Sequence, residues 1–263
     1  MHPTLNIAKR AAHNAGNIMM RALNRLDTLN VTEKSQNDYV SEVDRMAEQE
    51  IVAILRKAYP QHGILGEEGG VQQASGSDEF QWIIDPLDGT TNYLRGIPHF
   101  AVSIALKHKN QITQALVYDP VKDETFMASR GNGAQLNDRR IRVTNRKTME
   151  GALLGTGFPF RADQDVDLFI ETLRVMMPQT AGIRRPGSAA LDLAYVAAGR
   201  FDGFWEFGLN SWDMAAGSLL VQEAGGVVTD LKGGDDFLSN GNILAGNIRL
   251  HLLMMQRLAK VIP

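Results

Sequence analysis

The sequence predicts a mixed α/β protein in which helices and sheets are stacked in layers. Apolar residues recur roughly every 3.6 positions over residues 4–26, which is the pattern of an amphipathic helix. Short strand-like runs separated by turns fill residues 100–143, as in an antiparallel meander. From residue 152 onward, strand-like and helix-like segments alternate. Because no linker or break in composition divides the chain, we expect one domain over residues 1–263, with an α+β part to about residue 145 and an α/β part from about 146.

The first part of the chain is predicted to contain two helices. The apolar pattern of the first helix ends near residue 26. Ser41 and Asp44 have the spacing of a capping box, so we expect the second helix to begin there and to end at about residue 59, before Pro60. Around these helices we expect, in chain order, a strand at 29–32, a polar loop at 34–38, a strand ending at Gly66 and a polar, mobile loop at 71–80.

The rest of the chain is predicted to begin with a buried strand, because residues 82–84 form a short apolar run. The strands of the meander are expected at 100–107, 112–119, 124–129 and 141–143. In the second half, strands are expected near 152–156, 182–185, 203–207, 227–230 and 242–246, and helices at about 165–177, 188–198, 212–224 and 247–260.

The composition excludes several classes of protein. The 263 residues are 44% hydrophobic and 22% charged, which is ordinary for a chain that buries a core. A net charge of −3 gives no overall field to recruit nucleic acid. Without cysteine there is no disulfide, thiol nucleophile or cysteine-bound metal, and we expect a cytoplasmic protein. We expect neither a signal peptide nor a membrane span, since charged residues interrupt every apolar run.

The clearest indication of function follows the apolar run at 82–84. The strand is expected to stop at Pro86, which cannot donate a hydrogen bond within a sheet. Two carboxylates, Asp85 and Asp88, flank this stop, and Leu87 offers a backbone carbonyl between them. Oxygen ligands of this kind suit a hard cation.

The residues after Asp88 could bind an anion. Gly89 permits a tight turn, and three residues with polar side chains and backbone N–H groups follow it, Thr90, Thr91 and Asn92. A cation site beside N–H donors suggests a phosphate ester as the ligand. The alternative is that Asp88 and Gly89 form an ordinary hairpin turn.

Four further acids could join the same site. Glu67 and Glu68 follow one strand, Asp44 begins a helix, and Asp213 lies at the start of another. Strand ends and helix starts can meet at one edge of a layered sheet, where a divalent cation removes the repulsion between carboxylates. Ligands that are all oxygens select Mg²⁺, Mn²⁺ or Ca²⁺. The alternative for each acid is a solvated charge on the surface.

A second candidate segment consists of Gly187, Ser188 and Ala189. At a helix N-terminus these residues could bind an anion or a hydroxyl, or Ser188 could simply cap the helix. Glu206 could accept a hydrogen bond from a substrate hydroxyl or could be a surface acid at a strand end. The basic run over 139–147 could contact RNA, or could be a solvated strand face, since it lacks the aromatic residues typical of single-strand binders.

Several of these segments resemble the motifs of the inositol monophosphatase family. The matching segments are Glu67-Glu68, Asp85-Pro86-Leu87-Asp88-Gly89-Thr90-Thr91-Asn92, Trp212-Asp213, Asp38 to Asp44 and Glu223-Ala224-Gly225-Gly226. The likeness runs from end to end, and Phe158-Pro159-Phe160 with residues 187–195 make it closest to the bacterial SuhB-type branch. It implies a layered αβαβα sandwich of the inositol monophosphatase / fructose-bisphosphatase type, and a Mg²⁺-dependent, lithium-sensitive homodimer.

The resemblance also implies roles for individual residues. The metal ligands would be Glu67, Asp85, the Leu87 carbonyl, Asp88 and Asp213. The phosphate would contact Gly89 and Thr90, and the polyol ring would face Gly187, Ser188, Ala189, Glu206 and Asp213. The catalytic residues are expected to be Glu67, Thr90, Asp44 and Asp88, with Glu67 and the Thr90–Asp44 pair positioning and deprotonating the attacking water. Departures from the family pattern at Gly69, Pro186 and Ser188 affect the expected substrate more than the expected metal site.

The expected function is hydrolysis of myo-inositol 1-phosphate or a related polyol phosphate by two-metal activation of water. The resemblance implies a second role in the antitermination of ribosomal RNA transcription, in a complex with NusA, RNA polymerase and RNA. Two alternatives remain open. The chain could be a scaffold or regulator associated with RNA polymerase whose phosphatase activity is secondary, or its substrate could be 3′-phosphoadenosine 5′-phosphate or fructose 1,6-bisphosphate.

Overall fold

Five layers of helix and sheet make up the part of the chain that this computed structural model describes, namely residues 2–28, 31–35, 38–73, 79–159 and 164–262. The helices are α1 (Pro3–Ala22), α2 (Glu42–Ala58), α3 (Thr90–Leu94), α4 (Val166–Met176), α5 (Ala189–Ala197), α6 (Ser211–Glu223), α7 (Phe237–Asn240) and α8 (Ile248–Leu258), and a 3-10 segment over Leu23–Thr28 follows α1. The strands are β1 (Val31–Ser35), β2 (Asp38–Ser41), β3 (Gly63–Gly66), β4 (Gly70–Gln72), β5 (Phe80–Asp88), β6 (Ala101–His108), β7 (Gln111–Asp119), β8 (Glu124–Ser129), β9 (Gly133–Leu136), β10 (Arg139–Arg140), β11 (Leu153–Thr156), β12 (Gly182–Arg184), β13 (Gly203–Glu206), β14 (Val227–Thr229) and β15 (Ile243–Gly246).

Two large sheets alternate with the helical layers. The first has eight strands in the order β10-β9-β8-β7-β6-β5-β3-β4 and is antiparallel except for the parallel pair β3–β5. The second has five strands in the order β12-β11-β13-β15-β14, where β11 is parallel to both of its neighbours and the other pairs are antiparallel. Strands β1 and β2 form a separate antiparallel pair.

The alternation of side chains along the strands explains the layering. In β5, Trp82 and Ile84 join the core beneath α1 and α2, whereas Ile83 joins the core that contains α5 and α6. In β13, Phe204 faces that same middle core and Trp205 faces a third core with α8. Because successive side chains point to opposite faces, each sheet buries both faces between helical layers. The predicted layered α/β fold is therefore confirmed.

The middle layer is apolar on all sides. Helix α6 has a continuous run of buried residues from Met214 to Val221, as expected for a helix enclosed by two sheets. Helices α5 and α6 approach closely at Gly217, where a Cβ atom would lie 2.5 Å from the Leu193 Cβ. The four long helices predicted in the second half and the five strands there are all found, with ends shifted by one or two residues.

One predicted strand end is wrong and concerns the central motif. Strand β5 does not stop at Pro86 but continues to Asp88, with an irregular register between Asp85 and Asp88 against β6. A bulge accommodates a residue that cannot donate to the sheet. The Leu87 N–H instead donates to Asp85 Oδ1 at 3.0 Å, so the irregular segment is bonded through a side chain.

Several smaller predictions also need correction. No strand forms at 141–143, and the meander ends instead with the short strands β9 and β10. The polar segments at 34–38 and 71–80 contain strand residues, because β1 extends to Ser35, β2 begins at Asp38 and β4 pairs with β3. The strand expected at 29–32 is β1, which begins at Val31. Residues 29–30, 36–37, 74–78 and Phe160, on which parts of these predictions fall, lie outside the described residues.

Within the described ranges, no helix is both long enough and apolar enough to cross a membrane.

The close approach of α5 and α6 predicts the effect of Gly217→Ala. Alanine favours a helix over glycine by about 1 kcal/mol. The added methyl group would overlap Leu193, and overpacking of a core costs about 1–3 kcal/mol, so we expect a net loss in the free energy of unfolding. Urea unfolding of the two proteins would measure it. A variant more stable than the wild type would contradict the close packing of the middle layer.

Candidate active site

Acidic residues from several layers meet at a polar cavity of about 140 Å³ at the end of β5. Every residue to which the sequence assigned a site role lines this cavity except Asp44 and Glu68. The lining residues from that set are Glu67, Asp85, Leu87, Asp88, Gly89, Thr90, Gly187, Ser188, Ala189, Glu206 and Asp213. The structure thus brings the sequence-predicted residues together, although proximity alone does not define what each one does.

The turn after Asp88 begins a helix rather than a hairpin. Gly89 has φ of 98°, a left-handed conformation that favours glycine, and it precedes α3. A Cβ atom there would lie 3.1 Å from the backbone oxygens of both His99 and Gly187. The close approach and the positive φ both require glycine, and the hairpin interpretation of Asp88-Gly89 is wrong.

Asp88 connects the central turn to the start of α5. Its Oδ2 atom accepts hydrogen bonds from Ser188 Oγ at 2.6 Å and from the Ala190 N–H at 2.7 Å. Ser188 also caps α5, with its Oγ atom 3.4 Å from the Leu191 nitrogen. The two interpretations of Ser188 are therefore compatible, because one hydroxyl can donate to Asp88 and accept from the helix.

Asn92 provides a second connection between the same two segments. Its side-chain amide donates to the backbone oxygens of His99 and Pro186, each at 2.8 Å. The sequence showed only that Asn92 is polar, and the structure shows that its amide fixes the loop before α5 against the central turn.

Asp44 lies behind the cavity wall and is reached through Thr90. The Thr90 hydroxyl lies 3.0 Å from Asp44 Oδ1 and 3.0 Å from the Leu87 carbonyl oxygen. The predicted capping box is confirmed, since Asp44 Oδ2 accepts from the Ser41 N–H at 2.9 Å while Ser41 Oγ accepts from the Val43 N–H. Asp44 is 1% exposed and Asp85 is 2% exposed, so neither is a solvated surface acid.

The opposite side of the cavity comes from the second sheet and the middle layer. Asp213 lies in the first turn of α6, where its Oδ2 atom accepts from the Asn210 N–H at 2.7 Å in a second capping box. Glu206 ends β13 and is 8% exposed, so the interpretation as a surface acid is wrong. Its carboxylate fills the space next to Gly157, where a Cβ atom would lie 1.7 Å from Oε1.

Burial and mutual repulsion dominate the electrostatics of the cavity. Burial raises the pKa of Asp88 to about 6, although hydrogen bonds from Ser188 and the start of α5 oppose the rise. The pKa values of Asp85 and Asp213 are raised well above their ordinary range, first by burial and then by the charges of neighbouring acids. Those neighbours are Glu67, Asp88 and Asp213 for Asp85, and Asp88, Glu67 and Glu206 for Asp213.

The donor set fits a hard divalent cation. Repulsion among buried carboxylates is the penalty that a bound cation removes, and all the donors are oxygens. As placed, the described acidic and histidine side chains do not form a group of three or more that encloses an ion. The fit therefore rests on the chemistry and charge of the donors.

Two buried acids at or beside the cavity were missed by the sequence analysis. Glu48 accepts hydrogen bonds from the backbone N–H groups of Glu68 at 2.9 Å and Gly69 at 2.7 Å, and so fixes the loop that carries Glu67. Glu68, which was expected to join the site, does not line the cavity. Asp192 is buried in the cavity wall. The sequence contains an indication of each acid, since Glu48 follows Asp44 by one helical turn and Asp192 interrupts an apolar run.

The basic run over 139–147 is partly engaged within the chain. Arg146 pairs with Asp202 at 3.1 Å and donates to the Glu150 carbonyl oxygen, and the Arg142 side chain donates to the Ile141 carbonyl oxygen. A contact of this run with RNA stays a prediction.

Comparison with known proteins agrees with the geometry. A profile of the inositol monophosphatase family matches residues 1–262. The Nus factor SuhB of Pseudomonas aeruginosa is 58% identical over 266 residues, covering 100% of this chain and 98% of that protein. The chain belongs to the inositol monophosphatase family.

Solved structures of family members share the whole fold. The crystal structure of the extragenic suppressor protein SuhB from Bartonella henselae superposes with a TM-score of 0.94 at 47% identity, covering 98% of this chain and 99% of that one. An inositol monophosphatase from Anabaena superposes with a TM-score of 0.87 at 38% identity, covering 98% and 96% respectively. The resemblance seen in the sequence motifs is thereby confirmed.

The raised pKa values predict how the stability of this family member depends on pH when divalent cations are chelated. A carboxyl with a raised pKa binds its proton more tightly in the folded state, so folding loses stability as pH rises from the ordinary value of 3.8 through about 6 for Asp88. Urea unfolding in EDTA should show the free energy of unfolding of the wild type falling relative to Asp88→Asn over that window.

Comparing the two proteins cancels the groups that titrate equally in both. A difference in stability that stays constant, or that changes in the opposite direction, would show that burial does not raise the pKa of Asp88 as described.

Proposed function

We propose that the chain hydrolyses phosphate monoesters of polyols, such as myo-inositol 1-phosphate, with Mg²⁺ as its cofactor. The main support is the gathering of Asp85, Asp88 and Asp213 in one polar cavity beside the starts of α3 and α5. Acids suited to a cation and N–H groups suited to an anion are the two requirements of phosphoryl transfer. Membership of the family and the likeness to the Anabaena inositol monophosphatase agree with this function.

The cation would be held by oxygens of residues that line the cavity. The proposed ligands are Glu67, Asp85, the Leu87 carbonyl, Asp88 and Asp213. When bound, a divalent cation supplies a Lewis acid and a water whose pKa falls from about 16 toward roughly 7–9. Asp213, which also lines the cavity, would help to hold a second cation that stabilises the charge of the leaving group.

Thr90 and Asp44 would orient the attacking water and take up its proton, together with Glu67. When the Thr90 hydroxyl donates to Asp44 Oδ1, its oxygen lone pairs are free to accept a hydrogen bond from water. Burial raises the pKa of Asp44, so this carboxylate can accept a proton closer to neutral pH than an exposed aspartate can. The buried capping box fixes its orientation.

The substrate would lie across the join between the two sheets. Its phosphate would contact Gly89 and Thr90, and its ring would face Gly187, Ser188, Ala189, Glu206 and Asp213. Asp88 Oδ2 is already bonded to Ser188 and Ala190, so the same contacts that fix the proposed ligand also fix the wall of the ring site. A change at Ser188 is therefore expected to affect both.

The test is phosphate release from myo-inositol 1-phosphate by wild type and Asp88→Asn, with and without Mg²⁺. We expect Mg²⁺-dependent turnover in the wild type and a loss on the order of 10²–10⁴ in rate for the variant, because both metal binding and water activation suffer. Asparagine can still accept the hydrogen bonds from Ser188 and Ala190, so the fold is expected to persist.

The matched control is Asp230→Asn, the same substitution in an acid outside the cavity that accepts backbone hydrogen bonds in a surface loop. Its activity should equal that of the wild type. Turnover near the wild-type rate in Asp88→Asn, or undiminished turnover in EDTA, would rule out the proposed mechanism.

A second candidate function is favoured by the relatives named Nus factor SuhB, which include the Pseudomonas aeruginosa protein and one from Escherichia coli that is 50% identical over 255 residues. We propose that this chain also joins an antitermination complex with NusA and RNA polymerase, and that it acts as a homodimer. In that case its role as an assembly factor would not require hydrolysis.

Complementation separates the two roles. If assembly alone is essential, Asp88→Asn should restore growth and ribosomal RNA transcription to a strain that lacks this gene as well as the wild type does. Failure of a stably expressed Asp88→Asn protein to complement, alongside full complementation by Asp230→Asn, would show that the cavity is needed for the cellular role.

A further inference from the structure

An acid in the cavity wall has no role in the proposed hydrolysis. Asp192 lies in the first turn of α5, is 1% exposed and lines the cavity. Its Oδ1 atom is buried without a hydrogen-bond partner. A buried carboxyl oxygen that lacks a partner destabilises the folded protein, so a position that retains one needs a functional explanation.

Other buried acids in the described part of the chain are satisfied by the protein itself. Asp119 accepts from the Val121 and Lys122 N–H groups and pairs with the Lys122 ammonium at 2.6 Å. Asp202 accepts from the Leu153 N–H at 2.8 Å. Glu48 accepts two backbone hydrogen bonds. These acids stabilise turns and loops. The free oxygen of Asp192 stabilises neither a turn nor a loop.

The charged groups around Asp192 also line the proposed substrate cavity. The acids that act on it electrostatically are Glu206 first and then Asp88, and Arg185 acts in the opposite sense. All three line the same cavity. Glu206 is fixed by its packing against Gly157. Asp192 and Glu206 are therefore two neighbouring carboxyl groups in the lining of this cavity.

We propose that Asp192 is a specificity-determining residue that accepts a hydrogen bond from a substrate hydroxyl adjacent to the one bound by Glu206. The pair would select phosphate esters of polyols that carry neighbouring hydroxyls over esters of alcohols that lack them. A carboxyl oxygen is a strong acceptor for a hydroxyl, and a site built to bond a hydroxyl strongly rejects the analogue that lacks it. This inference rests on the proposed phosphatase function.

The test compares two esters in Asp192→Leu, where leucine has nearly the shape of aspartate without its polar atoms. With myo-inositol 1-phosphate we expect kcat/KM to fall about 10- to 100-fold, as expected when a buried substrate hydroxyl is left without its acceptor. With cyclohexyl phosphate, which has the ring but no free hydroxyls, we expect a change of less than about threefold.

Stability gives a readout that separates this role from a structural one. Removing a buried carboxyl with one unpartnered oxygen should leave the Tm of Asp192→Leu unchanged or raise it. A structural acid would lower the Tm when replaced. Asp192→Asn, which keeps the shape and one acceptor oxygen, should show the same loss of selectivity with a smaller magnitude. This variant replaces Asp192→Leu in the test if the leucine variant does not fold.

Asp230→Asn serves again as the control and should treat both esters as the wild type does. Equal losses on the two esters, or no loss on either, would overturn the role of Asp192. If the wild type hydrolyses neither ester, the phosphatase proposal fails separately. Calorimetric binding of the same two esters then tests the role of Asp192. A selective loss of affinity for the inositol ester in the Asp192 variants then supports the inference, whereas equal changes or no binding overturn it.

Discussion

Repulsion among buried carboxylates at one cavity is the constraint on which the rest of this architecture depends. Asp85, Asp88 and Asp213 each lose solvation, which raises their pKa values, and the charges of neighbouring acids raise those of Asp85 and Asp213 further. The chain holds them in place by aiming N–H groups at them from helix starts and from the irregular end of β5. A site that is unfavourable without a cation is well suited to bind one.

The cavity exists only because the middle helices pack against the first sheet. Asp88 and Ser188 are 100 positions apart in the chain and are hydrogen-bonded to each other. Asn92 and Pro186 make a second bond of the same kind over 94 positions. Close packing of α5 against α6 at Gly217 brings Asp213 to the same place as the start of α5. Packing of the apolar middle layer thus determines the geometry of the polar site.

The same cavity shows how function opposes stability. Asp192 is buried with a free oxygen, and Glu206 occupies space that a side chain at position 157 would need. The unpartnered oxygen of Asp192 costs stability that an apolar replacement would recover. Proteins keep such groups where a ligand uses them, which is the basis of the hydroxyl-binding role proposed for Asp192.

The sequence alone determined the layered fold and most of the cavity. Periods of 3.6 and 2 residues identified the long helices and core strands because they record which side chains are buried. The motif from Asp85 to Asn92 revealed the cavity because acids next to a buried strand are unusual. The pairing of the strands was harder to predict from the sequence. A bulge carries β5 past Pro86, and β4, β9 and β10 are short strands held mainly by their neighbours.

Only the tertiary structure decided which acids are buried and which partners they have. By residue type alone Glu67 and Glu68 are equivalent, and only the family resemblance separated them. Glu206 could have been a surface acid. The structure places Glu67 and Glu206 in the cavity and leaves Glu68 outside it. The unpartnered oxygen of Asp192 was also invisible, because satisfaction of a polar atom depends on groups that are distant in the chain. Local patterns fix which face of an element is buried, but the environment of a charge arises from the contacts between elements, and those form only when the layers pack.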